Sequence, residues 1–511
     1  MQPNDNNRSG IDRRWFLKGC ASAAIAAGLI GPKEALAGGS GAAVPPGQFG
    51  RNLLAPPRNK KGPGTEQYWR EVRKAFDLGN DYIHMNTGTT GSQPEFVQNN
   101  LAVYNRYKSR DPLSWTNNLA ADFPDLFPVT PSANGARQAQ VAAAYGANAD
   151  EIVLSYNTTD ACNLIFAGTP WQPGDRIVTT SFEHPALAGP IAWARDYHGV
   201  EVVVIYMPSN FTAGISVGDV LSWFDEALAA PLPNGAKQYL AISEIFYKNG
   251  LRLPVPELCA LARSYGAYSI IDSAHGWGML PINCHTYGAD FIAGAGHKWL
   301  CGGPGTGICY VRTSDATANP LPPFAMGSFS GYGNLFVAPS FNYQSRTFSP
   351  SSSTQARGEF NTPAVYAMTD SLAFFTQIGI QAIYERGLAL GNYLKAKIAD
   401  QWGPDALWVQ PGDSRFATAL TSFNPFADKD NGAAYAAMRT AIGNVGTALA
   451  AQTPKIYIRN VTWRDGPSSK ADDRVGFRIA THGVYNNYDE IDYMFDRLVE
   501  QVNLSNLTQL S

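Results

Sequence analysis

Seven short apolar runs punctuate the middle of the chain, each separated from the next by a turn or by a longer stretch. They are EIVLSY (151–156), RIVTTS (176–181), EVVVIYM (201–207), YLAISEI (239–245), YSIIDSA (268–274), DFIAGAG (290–296) and GICYV (307–311). Rich in β-branched and aromatic residues, they read as strands, and the helix-length segments between them predict an α/β fold with a mixed, mostly parallel sheet and helices on both faces. PVPELCALARSYGA illustrates the helical side, with proline near its start, Leu258, Leu261 and Ala262 at helical spacing, and Gly266 where the helix should stop. After about residue 365 the pattern changes to long helical stretches ending in FRIATHGVYNNYDEIDYMFDRLVEQV, which predicts a smaller α+β domain. The expected division is a large domain over 76–365, whose N-terminal segment also contributes to the small domain, and that small domain over 366–511. No internal repeat is evident.

The N-terminal part follows a different logic. Residues 38–75 begin with a Gly- and Pro-rich stretch without periodicity, as expected of an arm lying along a surface. Before it, Arg13 and Arg14 precede Trp15, Phe16, Leu17 and Lys18, then a mildly apolar stretch and Ala35-Leu36-Ala37, a small-residue cleavage site. Residues 1–37 therefore resemble a twin-arginine export signal, with Asp12 where Ser or Thr is more usual. The apolar stretch is too short to span a bilayer, which takes about 20 apolar residues. The expectation is a periplasmic or secreted protein, handled by the twin-arginine machinery and free of the membrane once processed.

Charge and cysteine content narrow the partners. The 511 residues carry a formal net charge of −3, and removal of the +2 on residues 1–37 leaves −5. Nothing there marks a nucleic-acid surface, so a small-molecule ligand is expected. Of six cysteines, Cys20 lies in the leader, leaving Cys162, Cys259, Cys284, Cys301 and Cys309 with no close metal-type pair. Whether Cys301 and Cys309, flanking one glycine turn, meet in a disulfide is left open.

Parallel sheets bind ligands at the C-terminal ends of their strands. There the sequence places Asn157, Thr158 and Thr159 at a strand-to-helix passage, an anion site or simply a helix cap. Glu183 and His184 follow the next run, His184 being a packed ring or a face for an aromatic ligand. Asp272 ends a buried strand, with His275 three residues on, and a carboxylate there is costly unless it meets a cation or strong donors. Lys298, beside His297, follows the sixth run. An anion cradle, a flat face, a buried acid and an amine at one sheet edge are the four things pyridoxal 5'-phosphate consumes.

These segments also resemble a known family. HKWLCGGPGTG, DSAHGWG, SFEHPAL, NTTDACN, YIHMNTGTTGSQP and FRIATHGVYNNYDEID are similar, in order, to the class V aminotransferases of pyridoxal-phosphate fold type I, and within them to the isopenicillin N epimerase-like branch. The resemblance implies that Lys298 holds the cofactor's aldehyde, Asp272 keeps its pyridine nitrogen protonated and His184 stacks on its ring. It places His275 near the phenolic oxygen, and Asn157, Thr158, Thr159 and His297 on the phosphate. Arg478 would hold the substrate carboxylate with Asn86 beside it, the alternative for Arg478 being a strand arginine paired with a neighbouring acid. Thr362 would reach the phosphate of a neighbouring subunit, which implies a homodimer with shared sites. Ala295 and Asn361 depart from the family pattern at two phosphate positions.

The implied activity is chemistry at Cα of an amino acid or amino-acid-containing metabolite, epimerase- or aminotransferase-like, in the tailoring of a secreted metabolite or peptide. Elimination by a C–S or C–N lyase, oxidative decarboxylation and, remotely, a non-catalytic binding protein remain alternatives. No cysteine follows Cys309, so the mobile-loop thiol that the family's persulfide-forming desulfurases need is missing.

Overall fold

The computed structural model describes residues 62–122, 135–312, 360–410, 412–467 and 472–510, all within one compact unit, Leu53–Ser511. The export signal, most of the arm, and 313–359 lie outside the described residues.

A short strand β1 (Tyr82–His84) precedes the seven expected ones: β2 (Ile152–Ser155), β3 (Arg176–Thr180), β4 (Glu201–Ile205), β5 (Gln238–Ser243), β6 (Tyr268–Asp272), β7 (Phe291–Ala295) and β8 (Gly307–Val311). The seven form one sheet in the order β2-β8-β7-β6-β5-β3-β4. Every pairing is parallel except those of β8, which runs antiparallel to both β2 and β7. The α/β fold with a mixed, mostly parallel sheet is therefore present as predicted.

The apolar runs are continuous rather than alternating because both faces of the sheet are covered. Leu240, Ile242, Ile271 and Ile292 enter one hydrophobic core, while Tyr239, Ala241, Ile270 and Phe291 enter the other. Burying each such side chain stabilises the fold by roughly 1.5–3 kcal/mol. The run at 201–207 differs from its neighbours. As the edge strand it has β3 as its one strand partner, and Glu201 and Val204 are exposed while the residues between are half-buried. The helix over Val255–Ser264 ends where expected, Gly266 adopting φ +67, a left-handed conformation that glycine enters without strain.

In the C-terminal part, β9 (Leu420–Phe423), β10 (Lys455–Tyr457), β11 (Arg459–Arg464) and β12 (Asp473–Ala480) combine with long helices over Thr362–Ile378, Ile380–Trp402, Tyr435–Ala450 and Tyr488–Asn503. β11, β12 and β9 form an antiparallel sheet, and β10 pairs in parallel with β1. Ile83 and Met85 of the β1 segment pack in the same core as Leu394, Ile442, Phe477 and Leu498. This brings the N-terminal segment beside β12, sealed by a bridge between Asn86 and Ala480. Among the described residues no helix is long and apolar enough to cross a membrane.

Candidate active site

The strand order explains how residues far apart in sequence meet. β7, β6, β5 and β3 are consecutive neighbours pointing the same way, so the segments following them lie side by side at one edge. Those segments carry Lys298, Asp272 with His275, Tyr247 with Lys248, and Glu183 with His184. β2, antiparallel to β8 as β7 is, points the same way and delivers Asn157–Thr159 to that edge.

Asp272 is buried, and its Oδ1 accepts the backbone N–H of Ala274 at 2.9 Å, while Oδ2 has no partner. Burial raises its pKa, and nearby Lys298 and the Ala274 N–H oppose that rise. Lys298 is pushed down to about 8, by burial first and by Arg478 and Arg459, with Asp272 acting in the other direction. A substantial share of neutral amine is then available at mildly alkaline pH, as a lysine base or nucleophile requires.

His275 accepts the indole N–H of Trp299 at Nδ1, 3.0 Å away, which assigns the proton of the neutral ring to Nε2. That Nε2 is buried without a partner, and burial together with the cations of Lys298 and Arg478 holds the ring neutral. His184 caps its helix: its Nδ1 accepts from the Ala186 N–H at 3.1 Å, while its ring meets the edge of Tyr247 at 4.8 Å. Burial lowers its pKa to about 4, assisted by Lys298, Arg459, Arg478 and Lys248, so it too is a neutral ring. Beneath it the carboxyl of Glu183, raised to about 8 by burial, accepts the hydroxyls of Thr180 and Ser243.

At the strand-to-helix passage the helix-cap reading holds for Asn157, its Oδ1 accepting from the Asp160 N–H at 2.9 Å. Thr158 is buried with its Oγ1 unpartnered, whereas Thr159 is exposed. His297 is half-buried and holds the N-terminal segment through its carbonyl, which accepts the Gly91 N–H at 2.9 Å. Thr362 opens the Thr362–Ile378 helix, and its hydroxyl donates to the Phe360 carbonyl at 3.2 Å. Phe360 contacts the ring of Tyr156 at 4.6 Å, so this segment lies by the same strand end within its own chain. Ala295 is buried at the end of β7, and Asn361 caps the helix through Oδ1.

Arg478 is buried on β12, with Nη1 donating to the Tyr247 carbonyl and Nη2 to Asn86 Oδ1, each at 2.8 Å, and Nη2 also to Thr89 Oγ1 at 3.0 Å. Its Nε has no partner, and among the described residues no carboxylate lies within ion-pair distance. Among the described residues Arg478 therefore has no paired acid. Burial lowers its pKa to about 9, with the guanidinium of Arg459 adding to the effect. Asn86 positions this arginine from below, its Oδ1 accepting from both Arg478 and Thr89.

Sequence reasoning missed Arg459, Thr89, Tyr247, Lys248 and Trp299. Arg459 lies opposite Arg478 in the β11–β12 register, a relation visible only once the strands pair. The five cysteines among the described residues are buried thiols, and Cys301 and Cys309 are not joined in a disulfide.

The N-terminal segment approaches the lysine turn so closely that a Cβ on Gly91 would run into the Lys298 carbonyl oxygen and touch Cys301 Sγ. Gly91→Ala is therefore expected to lower stability by about 1–3 kcal/mol, the usual range for overpacking. Thermal unfolding of the variant checks this; an unchanged melting temperature would mean that the segment is not seated there.

The unpartnered buried atoms, Asp272 Oδ2, His275 Nε2 and Thr158 Oγ1, are respectively an acceptor, a donor and a hydroxyl converging on one strand edge. They fit the pyridine nitrogen, phenolic oxygen and phosphate of pyridoxal 5'-phosphate, with Lys298 for its aldehyde.

Comparison with known proteins agrees. Residues 85–437 match the family described as Aminotransferase class-V. A probable cysteine desulfurase of Methanothermobacter thermautotrophicus is 24% identical over 354 residues, covering 69% of this chain and 80% of that protein. Hercynylcysteine sulfoxide lyase of Schizosaccharomyces pombe is 25% identical over 51% of this chain, and isopenicillin N epimerase of Streptomyces clavuligerus 25% identical over 48%. The chain spans 62% and 56% of those two proteins. In fold, the apo structure of a cysteine desulfurase from Thermococcus onnurineus aligns with a TM-score of 0.62 at 20% identity, over 85% of this chain and 98% of the other.

Proposed function

Since the chain belongs to the class V aminotransferase family, whose description it matches over residues 85–437, we propose that it takes the proton from Cα of an amino-acid-type substrate. The cofactor is pyridoxal 5'-phosphate. Bound at the strand edge, it supplies a ring that accepts the electron pair left when a bond to Cα breaks. Lys298 would hold the aldehyde carbon through Nζ, and its neutral amine would serve as the base for the Cα proton. Asp272 Oδ2 would keep a proton on the pyridine nitrogen, which would give the buried carboxylate oxygen the partner it lacks. His275 would donate from Nε2 to the phenolic oxygen, His184 would cover the ring face, and Thr158, Thr159, Asn157 and His297 would receive the phosphate. Arg478 binds the substrate carboxylate, held in place by Asn86 and the Tyr247 carbonyl.

The observation that carries this reading is Arg478, which has no acid partner among the described residues and lies within electrostatic reach of Lys298, since a structural arginine this buried would be expected to have a carboxylate. The outcome at Cα is proposed as epimerase- or aminotransferase-like. A second reading, elimination of a sulfur substituent, is favoured by the similarity to the sulfoxide lyase, and it needs no protein thiol. A persulfide-forming route is disfavoured because burial pushes the Cys301 and Cys284 thiols well up and no cysteine follows Cys309. Export by the twin-arginine route, tailoring of a secreted metabolite or peptide, and a homodimer in which Thr362 serves the partner's phosphate complete the proposal, on sequence resemblance.

The test is to incubate the cofactor-loaded protein with amino acids in deuterated water and follow Cα exchange, keto acid, ammonia, sulfur products and carbon dioxide together. Deuterium at Cα with inverted configuration supports epimerisation, keto acid supports transamination, and ammonia with pyruvate supports elimination. Absence of exchange and of every product across the amino-acid panel would overturn Cα chemistry.

A further inference from the structure

The site holds more positive charge than its proposed chemistry uses. Arg459 and Arg478 face each other across β11 and β12, and both donate to the same hydroxyl, Thr89 Oγ1, at 2.9 and 3.0 Å. That hydroxyl is fully committed, because it donates in turn to Asn86 Oδ1 at 3.0 Å. Two guanidiniums drawn to one neutral oxygen repel each other, an arrangement that favours an anion brought between or beside them. Arg478 is buried and Arg459 exposed, so the second cation lies on the solvent side of the first.

Lys248 adds to this. It is half-buried, with Nζ 5.4 Å from the ring centroid of Tyr247 and 5.8 Å from that of Phe182, on the segment whose carbonyl holds Arg478. Arg459, Arg478, Lys248 and Lys298 all act electrostatically on His184, so the four cations lie within reach of one neutral ring. Among the described residues none of the four has a carboxylate within ion-pair distance. One α-carboxylate occupies Arg478, and Lys298 works as a neutral amine. Arg459 and Lys248 remain.

We infer that the substrate carries a second anionic group, a carboxylate or sulfur oxyacid on its side chain, received by Arg459 on the solvent side of Arg478 with Lys248 reinforcing the field. This rests on the Cα reading above and specifies its substrate class. Arg459 is then a specificity-determining residue, reading the end of the side chain while Arg478 reads the α-carboxylate. An exposed guanidinium suits that task, since its planar fork grips a carboxylate through two N–H groups.

The experiment is calorimetric titration of the cofactor-loaded protein with glutarate and with pentanoate, which have the same number of carbons and differ by one carboxylate. Glutarate is expected to bind at least about tenfold more tightly, the effect of one added charge-assisted contact. Arg459→Met should reduce that ratio to within about twofold, and Arg459→Lys should retain part of it. Equal binding of both acids to the unmodified protein, or equal weakening of both by Arg459→Met, would overturn the inference. A protein that lacks the cofactor's visible absorption and binds neither acid would instead sink the Cα reading itself, so the two failures are distinct.

Discussion

Replacing Lys298 by alanine should abolish turnover, with a loss of at least about 10³-fold, because one side chain supplies both a nucleophile and a general base. The structure supports both uses of the amine. It sits at the C-terminal end of β7, in a setting that burial and two arginines make unfavourable for an ammonium, and its pKa falls to about 8. Below that pH the amine is protonated and unreactive, so the activity of the unmodified protein should rise with pH through the neutral range. The variant should still bind pyridoxal 5'-phosphate at the Thr158 and Asp272 positions, but treatment with borohydride should no longer fix it to the chain. Added small amines should restore a little activity, as a cavity the size of the missing side chain permits. Intact activity in Lys298→Ala, or borohydride fixation at another lysine, would show that the wrong residue had been identified. Lys248 is the internal control, a second half-buried lysine at the same edge.

How much of this was legible beforehand depends on the kind of relation involved. All seven strands of the large sheet were visible because strands buried on both faces leave continuous apolar runs, and the residues just after them were legible as site candidates through the strand-end rule alone. Lys298, Asp272, His184 and Thr158 were found that way. The relations that needed pairing were not visible. Arg459 looks like any polar position of an alternating strand, and its importance comes from lying opposite Arg478 in the β11–β12 register. Trp299 reads as a core residue, which it is, yet its indole N–H also decides which nitrogen of His275 carries the proton. Asn86 was expected beside the substrate, and its oxygen also accepts from Arg478 and Thr89, a role set in part by a contact with a residue far along the chain.

Charge placement at the site follows one physical pattern. Each ring that would touch the cofactor is kept neutral, His275 and His184 by burial and nearby cations, while among the described residues the cations themselves have no acid within ion-pair distance. A protein without a ligand gains nothing from such an arrangement, since desolvated cations and an unpaired carboxylate all cost stability. Function is the term that makes the arrangement intelligible, and it separates Asp272 from an ordinary buried carboxylate.

Asp272→Asn makes that separation measurable, because activity and stability should move in opposite directions. Asparagine has the shape of aspartate and keeps an oxygen for the Ala274 N–H, so the local fold needs no adjustment. What disappears is the charge that holds a proton on the pyridine nitrogen, and turnover should fall on the order of 10²- to 10³-fold, as for other preorganised charges. Stability in the cofactor-free protein should change the other way. Burial raises the Asp272 pKa in the folded state, so the folded chain binds this proton more tightly than the unfolded one. The corresponding stability is present below the ordinary carboxylate range and is lost as pH rises through the folded-state value; at neutral pH the ionised group is therefore a cost. Asparagine carries no such cost, and cofactor-free Asp272→Asn should melt at or above the temperature of the unmodified protein at pH 7, while near pH 4 the difference should shrink. If the variant unfolds, Asp272 is a structural partner of Lys298 rather than a cofactor ligand. If it keeps full turnover, the pyridine nitrogen is protonated by something else.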